Sequence, residues 1–338
     1  MTRDWSSLIP IWPSFKKGNN AMSKKVLITS RSFGQISDEP VRILEGAGLE
    51  LTLLGKDFSQ EKFDSIIPEY DALIIGVHTF PEEVMEKCAK LKIICKHGAG
   101  VDNIPLEKAK ELGIAVCNAP GTNSNAVADL AFGLILAVSR NIVLANNNVK
   151  RGEWKPVVGQ DVCYKTLGLI GFGAIAKNVA RRAKGFSMKV LAYDPYVKEV
   201  PEEFREYVTL TDFDTVIKNC DFLSLHLPLT DETRNMISAK ELAMMKKGSY
   251  VINTARGGIV NEKDLYDALV SGHIAAAALD VSEQEPINPD NPLLKLDNVI
   301  ITPHIGMYSK EAINAVSLIC AENVVAMFQG GTLKYRIV

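Results

Sequence analysis

From residue 24 onward, short apolar runs alternate with stretches of helical spacing. That alternation constrains the fold of this 338-residue chain more than any other feature. The runs are KVLITS (25–30), LELTLL (49–54), DALIIG (71–76), LKIICK (91–96) and IAVCN (114–118), with helical stretches near 40–47, 60–67, 81–90 and 105–112. A run apolar on both faces suits a strand covered on both sides. Strands alternating with helices predict a parallel sheet inside helical layers.

After a long helical stretch over about 124–150 the alternation restarts. TLGLIG (166–171), a helix over 174–184 and KVLAYD (189–194) are followed by strands FLSLHL (222–227), SYVINT (249–254), AAAALD (275–280) and NVIIT (298–302). An amphipathic helix over about 309–329 comes last. The expected fold is α/β with two doubly wound, Rossmann-like units and a cleft between them: a flavodoxin-like unit of 22–118 plus 305–338, and a Rossmann unit of 119–304. Residues 1–21, which hold two of the three tryptophans but show no periodicity, are expected to be a disordered extension with Met22 as the natural start.

Composition excludes several classes. With 38 basic and 40 acidic residues there is no cationic footprint for nucleic acid. No uninterrupted apolar run reaches the length of a membrane span. The six scattered cysteines form no CxxC pair, which predicts reduced thiols in a cytoplasmic protein and no structural metal.

Gly171-Phe172-Gly173-Ala174-Ile175-Ala176 follows a predicted strand and opens a predicted helix, and Asp194 ends the next strand. This is the dinucleotide fingerprint. Gly171 permits a tight turn and Gly173 lets the backbone approach a pyrophosphate. Ala176 allows close packing, and the free N–H groups at the start of the helix, from Ala174 and Ile175, favour phosphate. Asp194 suits the ribose hydroxyls and repels a 2′-phosphate, so the expected cofactor is NAD. Its plainer reading is a turn residue before Pro195.

Three polar residues follow late strands, where α/β sheets bind ligands: Arg256, Glu285 and His304. An arginine can hold a 2-oxo acid by its carboxylate and polarise the carbonyl. A histidine beside a carboxylate can exchange a proton near neutrality. Glu283 competes with Glu285, but the following Pro286 favours Glu285.

The ordered motifs KHGAGVDNI (96–104), NAPGTNSNAVADLAFGLIL (118–136), TLGLIGFGAIA (166–176), LAYDPY (191–196), LHLPLTDETRNMI (225–237), INTARGGIVNEKDLYDAL (252–269), ALDVSEQEP (278–286) and NVIITPHIG (298–306) resemble the D-isomer-specific 2-hydroxyacid dehydrogenases. Within them the chain is most similar to short-form bacterial phosphoglycerate dehydrogenases. The resemblance implies an NAD-dependent oxidoreductase acting on the CH–OH group of a small 2-hydroxy acid, D-3-phosphoglycerate first and glyoxylate or hydroxypyruvate next. It implies Arg256 as carboxylate and carbonyl binder, His304 as acid–base and Glu285 as its orienting partner. A glutamate at 285 argues against formate, whose enzymes pair the histidine with glutamine.

The resemblance further implies Asp280 and Gly306 near the nicotinamide, Thr254 and Ala255 as backbone contacts to its riboside, and His226, Pro228 and Thr233 on the adenosine side. Gly98, Ala99 and Gly100 would present N–H groups to the substrate, with Asn103 nearby. In the run Val77-His78 the Arg-Ser pair of longer phosphoglycerate dehydrogenases is missing, leaving His78 or Lys96 to meet a phosphate, or merely to pack. Tyr164 stands where a glycine is usual. The helix over 124–150 is expected to build a homodimer. The same fold also serves corepressor-type NAD(H)-sensing proteins, the alternative from another class.

Overall fold

The computed structural model describes residues 23–338, so the expectation for 1–21 lies outside the described residues. The first unit builds β1 (Lys25–Ile28), α1 (Glu39–Gly46), β2 (Glu50–Leu53), α2 (Gln60–Ile66), β3 (Ala72–Ile75), α3 (Glu82–Met85), β4 (Ile93–Lys96), α4 (Leu106–Glu111) and β5 (Ala115–Cys117). Its strands are all parallel, in the order β2-β1-β3-β4-β5, the flavodoxin-like arrangement. β3 and β4 are buried at every residue, as their unbroken apolar runs require.

Then come α5 (Ser124–Ser139), α6 (Ile142–Lys150), β6 (Thr166–Ile170), α7 (Ala174–Gly185), β7 (Lys189–Tyr193), β8 (Val208–Leu210), α8 (Phe213–Asn219), β9 (Phe222–Leu225), α9 (Ala239–Met244), β10 (Ser249–Asn253), α10 (Glu262–Val270), β11 (Ile274–Leu279), β12 (Val299–Ile301) and α11 (Lys310–Gln329). The seven-stranded sheet is parallel, with the order β12-β11-β10-β9-β6-β7-β8. Strand order reverses between β6 and β9, which makes a crevice at their C-terminal ends.

α11 is long and apolar enough to cross a membrane, which the search for uninterrupted apolar runs did not anticipate. It lies instead on the first sheet, where Val316, Cys320, Ala321 and Val324 share a core with Val26, Ile74 and Cys95. All six cysteines are free, and only Cys163 is exposed.

Two expectations need correction. The stretch 124–150 is two helices bent by 63°, not one. The carbonyl of Ser139 accepts from Gln160 N at 2.7 Å, and Asn141, left-handed at φ 52°, donates from its side chain to Val158 O. A returning loop thus takes the Ser139 carbonyl that would have continued the helix. The predicted helix over 81–90 shrinks to α3, because Lys87, Cys88 and Leu91 bond three residues back rather than four. The edge strand β8 has no signal in the spacing; three residues are too few to show a period.

Candidate active site

The fingerprint turn sits at the point of strand reversal. Gly171 has φ +87°, and a Cβ there would lie 2.5 Å from His226 O at the end of β9. Only glycine allows the two strand ends to close this far. Around Gly173 the space is open, with nothing within 4 Å of where a Cβ would stand. No side chain caps α7, so its first-turn N–H groups remain available. Asp194 is fixed by two backbone donors, Phe172 N at 2.8 Å and Tyr196 N at 2.9 Å, which place its carboxylate beside the glycine turn.

His226 Nε2 meets Ser224 Oγ at 2.9 Å, while its Nδ1 is buried without a partner, as is Thr254 Oγ1. Burial pushes the His226 imidazole down to about 3, so it is neutral. His226 and Thr254 follow neighbouring strands, β9 and β10. An open glycine cradle, an uncapped helix and two orphaned buried groups at the crevice fit a bound dinucleotide.

Three expected cofactor contacts are already engaged within the chain. The Thr233 hydroxyl donates to Pro228 O at 2.8 Å and so shapes its own turn. The Ala255 N–H is taken by Asn253 Oδ1, and its carbonyl accepts from Arg256 Nη1. Asp280, 1 % exposed, accepts from Thr302 Oγ1, Ile305 N and Gly306 N at 2.6–2.8 Å. Asp280 thereby holds the turn that carries His304, whose own N–H donates to Asp280 O. Burial raises the Asp280 carboxyl, and those donors only partly offset it.

His304 Nδ1 lies 2.7 Å from Glu285 Oε2. Burial pushes Glu285 upward, but the His304 hydrogen bond and charge, Ser282 N and the Arg256 charge outweigh it and leave the carboxyl below its usual range. Glu283 is engaged elsewhere, in reciprocal backbone bonds with Glu262. Of the two glutamates, only Glu285 therefore reaches the histidine.

Arg256 reaches across the cleft. Its Nε donates to Asp102 Oδ2 at 2.8 Å, and its guanidinium lies so close to Gly100 that a Cβ there would fall 1.7 Å from Nη2. Asn253 sets the arginine's turn by donating to Arg256 O. Sequence reasoning passed over Asp102 and Asn253, although both lie in quoted motifs.

In the first unit the carbonyls of Gly98 and Ala99 are tied back by Ala119 N and Asn118 Nδ2. The expectation for Gly98 needs correction, because its N–H donates to Lys96 O at 2.9 Å; the Ala99 and Gly100 N–H groups find no acceptor within the described residues. Lys96 Nζ donates to Gly76 O at 2.6 Å and Asn103 Oδ1 at 2.8 Å. Burial, reinforced by the Arg256 charge, brings Lys96 down to about 8. Asn103 in turn donates to Gly76 O and His78 O, so it ties the β3 loop together. Val77 is exposed. The His78 ring packs on Phe58 and Phe63, with centroids 4.3 and 4.4 Å away, and bonds Thr29 Oγ1 and Thr79 O. Burial pushes it down to about 4. Of the two readings left open for His78, the packed one matches this geometry: the ring lies against two phenyl rings and burial disfavours its charged form. Tyr164 has φ 62°, which explains why a glycine is usual there.

Residues 132–306 match the family model "D-isomer specific 2-hydroxyacid dehydrogenase, NAD binding domain". The chain is 44 % identical over 280 residues to a hydroxypyruvate reductase of Thermotoga maritima, covering 81 % of this chain and 90 % of that one. It is 43 % identical over 309 residues to a D-3-phosphoglycerate dehydrogenase of Methanocaldococcus jannaschii, covering 90 % of this chain but only 58 % of the relative's length. The crystal structure of a glyoxylate reductase from Paecilomyes thermophila superposes with a TM-score of 0.81 at 31 % identity, covering 94 % of this chain and 99 % of that one. With the fingerprint at the strand reversal and the Arg256, Glu285 and His304 side chains around one cleft, the chain belongs to the D-isomer specific 2-hydroxyacid dehydrogenase family.

Proposed function

We propose that the protein is an NAD-dependent D-2-hydroxyacid dehydrogenase interconverting a short 2-hydroxy acid and its 2-oxo acid. The observation that carries this is the convergence of a glutamate-held histidine, an arginine and open N–H groups on one cleft beside the fingerprint. Residues 171–176 and Asp194 would hold the cofactor, with the unpartnered buried atoms of Thr254 and His226 at the ends of the neighbouring strands β10 and β9. When bound, NAD supplies or accepts the hydride. Arg256 and the N–H groups of Ala99 and Gly100 grip the substrate carboxylate, and Arg256 polarises the carbonyl. His304 gives the carbonyl oxygen its proton during reduction and takes it back during oxidation. Glu285, ionised throughout the neutral range, fixes the imidazole orientation and balances its charge.

For the substrate side chain we favour a small uncharged group, as in glyoxylate or hydroxypyruvate. Position 78 offers a neutral imidazole, and Lys96 is already bonded to Gly76 O and Asn103. The second reading, 3-phosphohydroxypyruvate, is favoured by the cationic charge that Lys96 keeps below about pH 8. NADH oxidation with glyoxylate, hydroxypyruvate, 3-phosphohydroxypyruvate, pyruvate and branched 2-oxo acids decides. A clear preference for the phosphorylated acid overturns the substrate reading; no turnover at all overturns the activity.

We also infer a homodimer through α5 and α6. α6 buries none of its residues, and Ile142, Val149, Trp154 and Val158 stand exposed on it and the loop beyond. Sedimentation as a monomer at micromolar concentration contradicts this.

A further inference from the structure

His97 has no part in the chemistry above, yet it is the residue directly before the loop assigned to the substrate carboxylate. It is 4 % exposed. Its backbone N–H donates to Ile75 O at 2.9 Å. Its Nε2 lies 2.8 Å from Ser317 Oγ on α11, and its Nδ1 lies 3.0 Å from Ser30 Oγ in the loop after β1. Phe33 packs edge-on against the ring at 5.9 Å.

The proton positions follow from the partners. The Ser317 hydroxyl donates to Ile313 O at 2.8 Å, so toward His97 it can only accept. Nε2 therefore carries the hydrogen and Nδ1 accepts from Ser30 Oγ. Burial and the neighbouring Lys96 charge push the imidazole down to about 3, so this single neutral tautomer persists at working pH. Both nitrogens are satisfied, and three segments distant in sequence meet on one ring. A leucine could fill such a site without the cost of burying polar groups. What a satisfied polar network adds is a unique geometry.

We propose that His97 is a positioning residue: bonded to Ser30 and Ser317, it fixes the 98–100 loop so that the Ala99 and Gly100 N–H groups and Arg256 share one carboxylate. This rests on the reading of that loop given under Proposed function. Among the described residues the Ser317 hydroxyl hydrogen-bonds only His97 and Ile313 O, so its polar link to the loop runs through His97.

The test compares His97→Leu, His97→Gln and Ser317→Ala in the full chain. Losing one hydrogen bond of ordinary strength, about 0.5–1.5 kcal/mol, corresponds to roughly a 2- to 12-fold change. We expect His97→Leu to raise KM for the 2-oxo acid about tenfold and Ser317→Ala about threefold. KM for NADH should stay within about twofold, and His97→Gln should recover part of the loss. Amide hydrogen exchange across 97–101 should quicken in both His97→Leu and Ser317→Ala. A lowered Tm with KM and loop exchange both unchanged would show a merely structural role and overturn the proposal. If the wild-type protein reduces no 2-oxo acid, the functional reading falls separately. Unchanged loop exchange in Ser317→Ala then overturns the positioning role without reference to activity.

Discussion

Arg256 and Asp102, 154 residues apart in sequence, form an ion pair at 2.8 Å between Nε and Oδ2. The pair joins the loop after β10 to the loop after β4, so each unit would hold half of the proposed carboxylate grip. Asp102 takes Nε and Ala255 O takes Nη1, which leaves Nη2 against Gly100. Asp102→Asn keeps the shape but removes the charge that orients the guanidinium. We expect kcat/KM for the 2-oxo acid to fall roughly 10- to 100-fold, since hydrogen bonds to charged groups contribute about 1.5–3 kcal/mol. KM for NADH should not move in the same steady-state assays.

Gly100→Ala tests the same contact from the other side. A methyl group 1.7 Å from Nη2 cannot be accommodated without displacing the arginine. Turnover should fall at least about 100-fold, because misplacing a positioning group by about an ångström has that scale of effect. The circular dichroism spectrum and NADH binding should be unchanged.

His304→Ala should cut kcat by about 10²–10⁴, the usual range for loss of a general acid–base, while fluorescence titration still detects NADH binding. Glu285→Gln should give a smaller loss. Glu285 has its carboxyl below the usual glutamate range, so the unfolded chain binds its proton first as pH falls. Its stabilisation is therefore full above the ordinary glutamate range and lost as pH falls through the folded value. Acid unfolding of Glu285→Gln should be less steep across that window than that of the wild type.

Asp194→Ala removes the carboxylate that Phe172 N and Tyr196 N hold beside the glycine turn. NADH should bind more weakly, and the preference for it over NADPH should shrink, as measured by Kd for both. Unchanged affinity for the two cofactors contradicts the role.

Lys96 gives a pH dependence of opposite sense. Its folded value near 8 lies below the ordinary 10.5. Below pH 8 both folded and unfolded forms are protonated, and the full cost of the buried cation is present. Between about 8 and 10.5 the unfolded chain keeps the proton that the folded chain has released, so the cost is relieved as pH rises. Relative to Lys96→Met, the wild type should gain about 3 kcal/mol of stability across that window. Urea unfolding of the two proteins at pH 7 and pH 10 checks it.

Much of the fold was legible because it rests on local signals. Unbroken apolar runs such as 72–75 mark buried parallel strands, and the Gly171–Ala176 spacing marks the strand reversal. Arg256, Glu285 and His304 were legible because each follows a strand at the end where ligands bind. What escaped depends on groups distant in sequence. The break after Ser139 is set by Gln160, and Arg256 finds its ion-pair partner in the other unit. For His78 the sequence left two roles open, and only Phe58 and Phe63 against its ring separate them. Asn253 was hidden differently: beside an arginine its side chain drew no notice, though it shapes the arginine's turn.

The clamp that Asp280 places on Thr302, Ile305 and Gly306 has a consequence for the crossing between units. Up to Gly306 the backbone is held by the seven-stranded sheet; from Met307 it joins the core of the five-stranded one. The crossing therefore lies beyond His304, not before it. His304 thus stands on the same unit as the glycine cradle. On the proposed function, a movement of one unit against the other would loosen the hold on the carboxylate and leave His304 and Glu285 together beside the cradle.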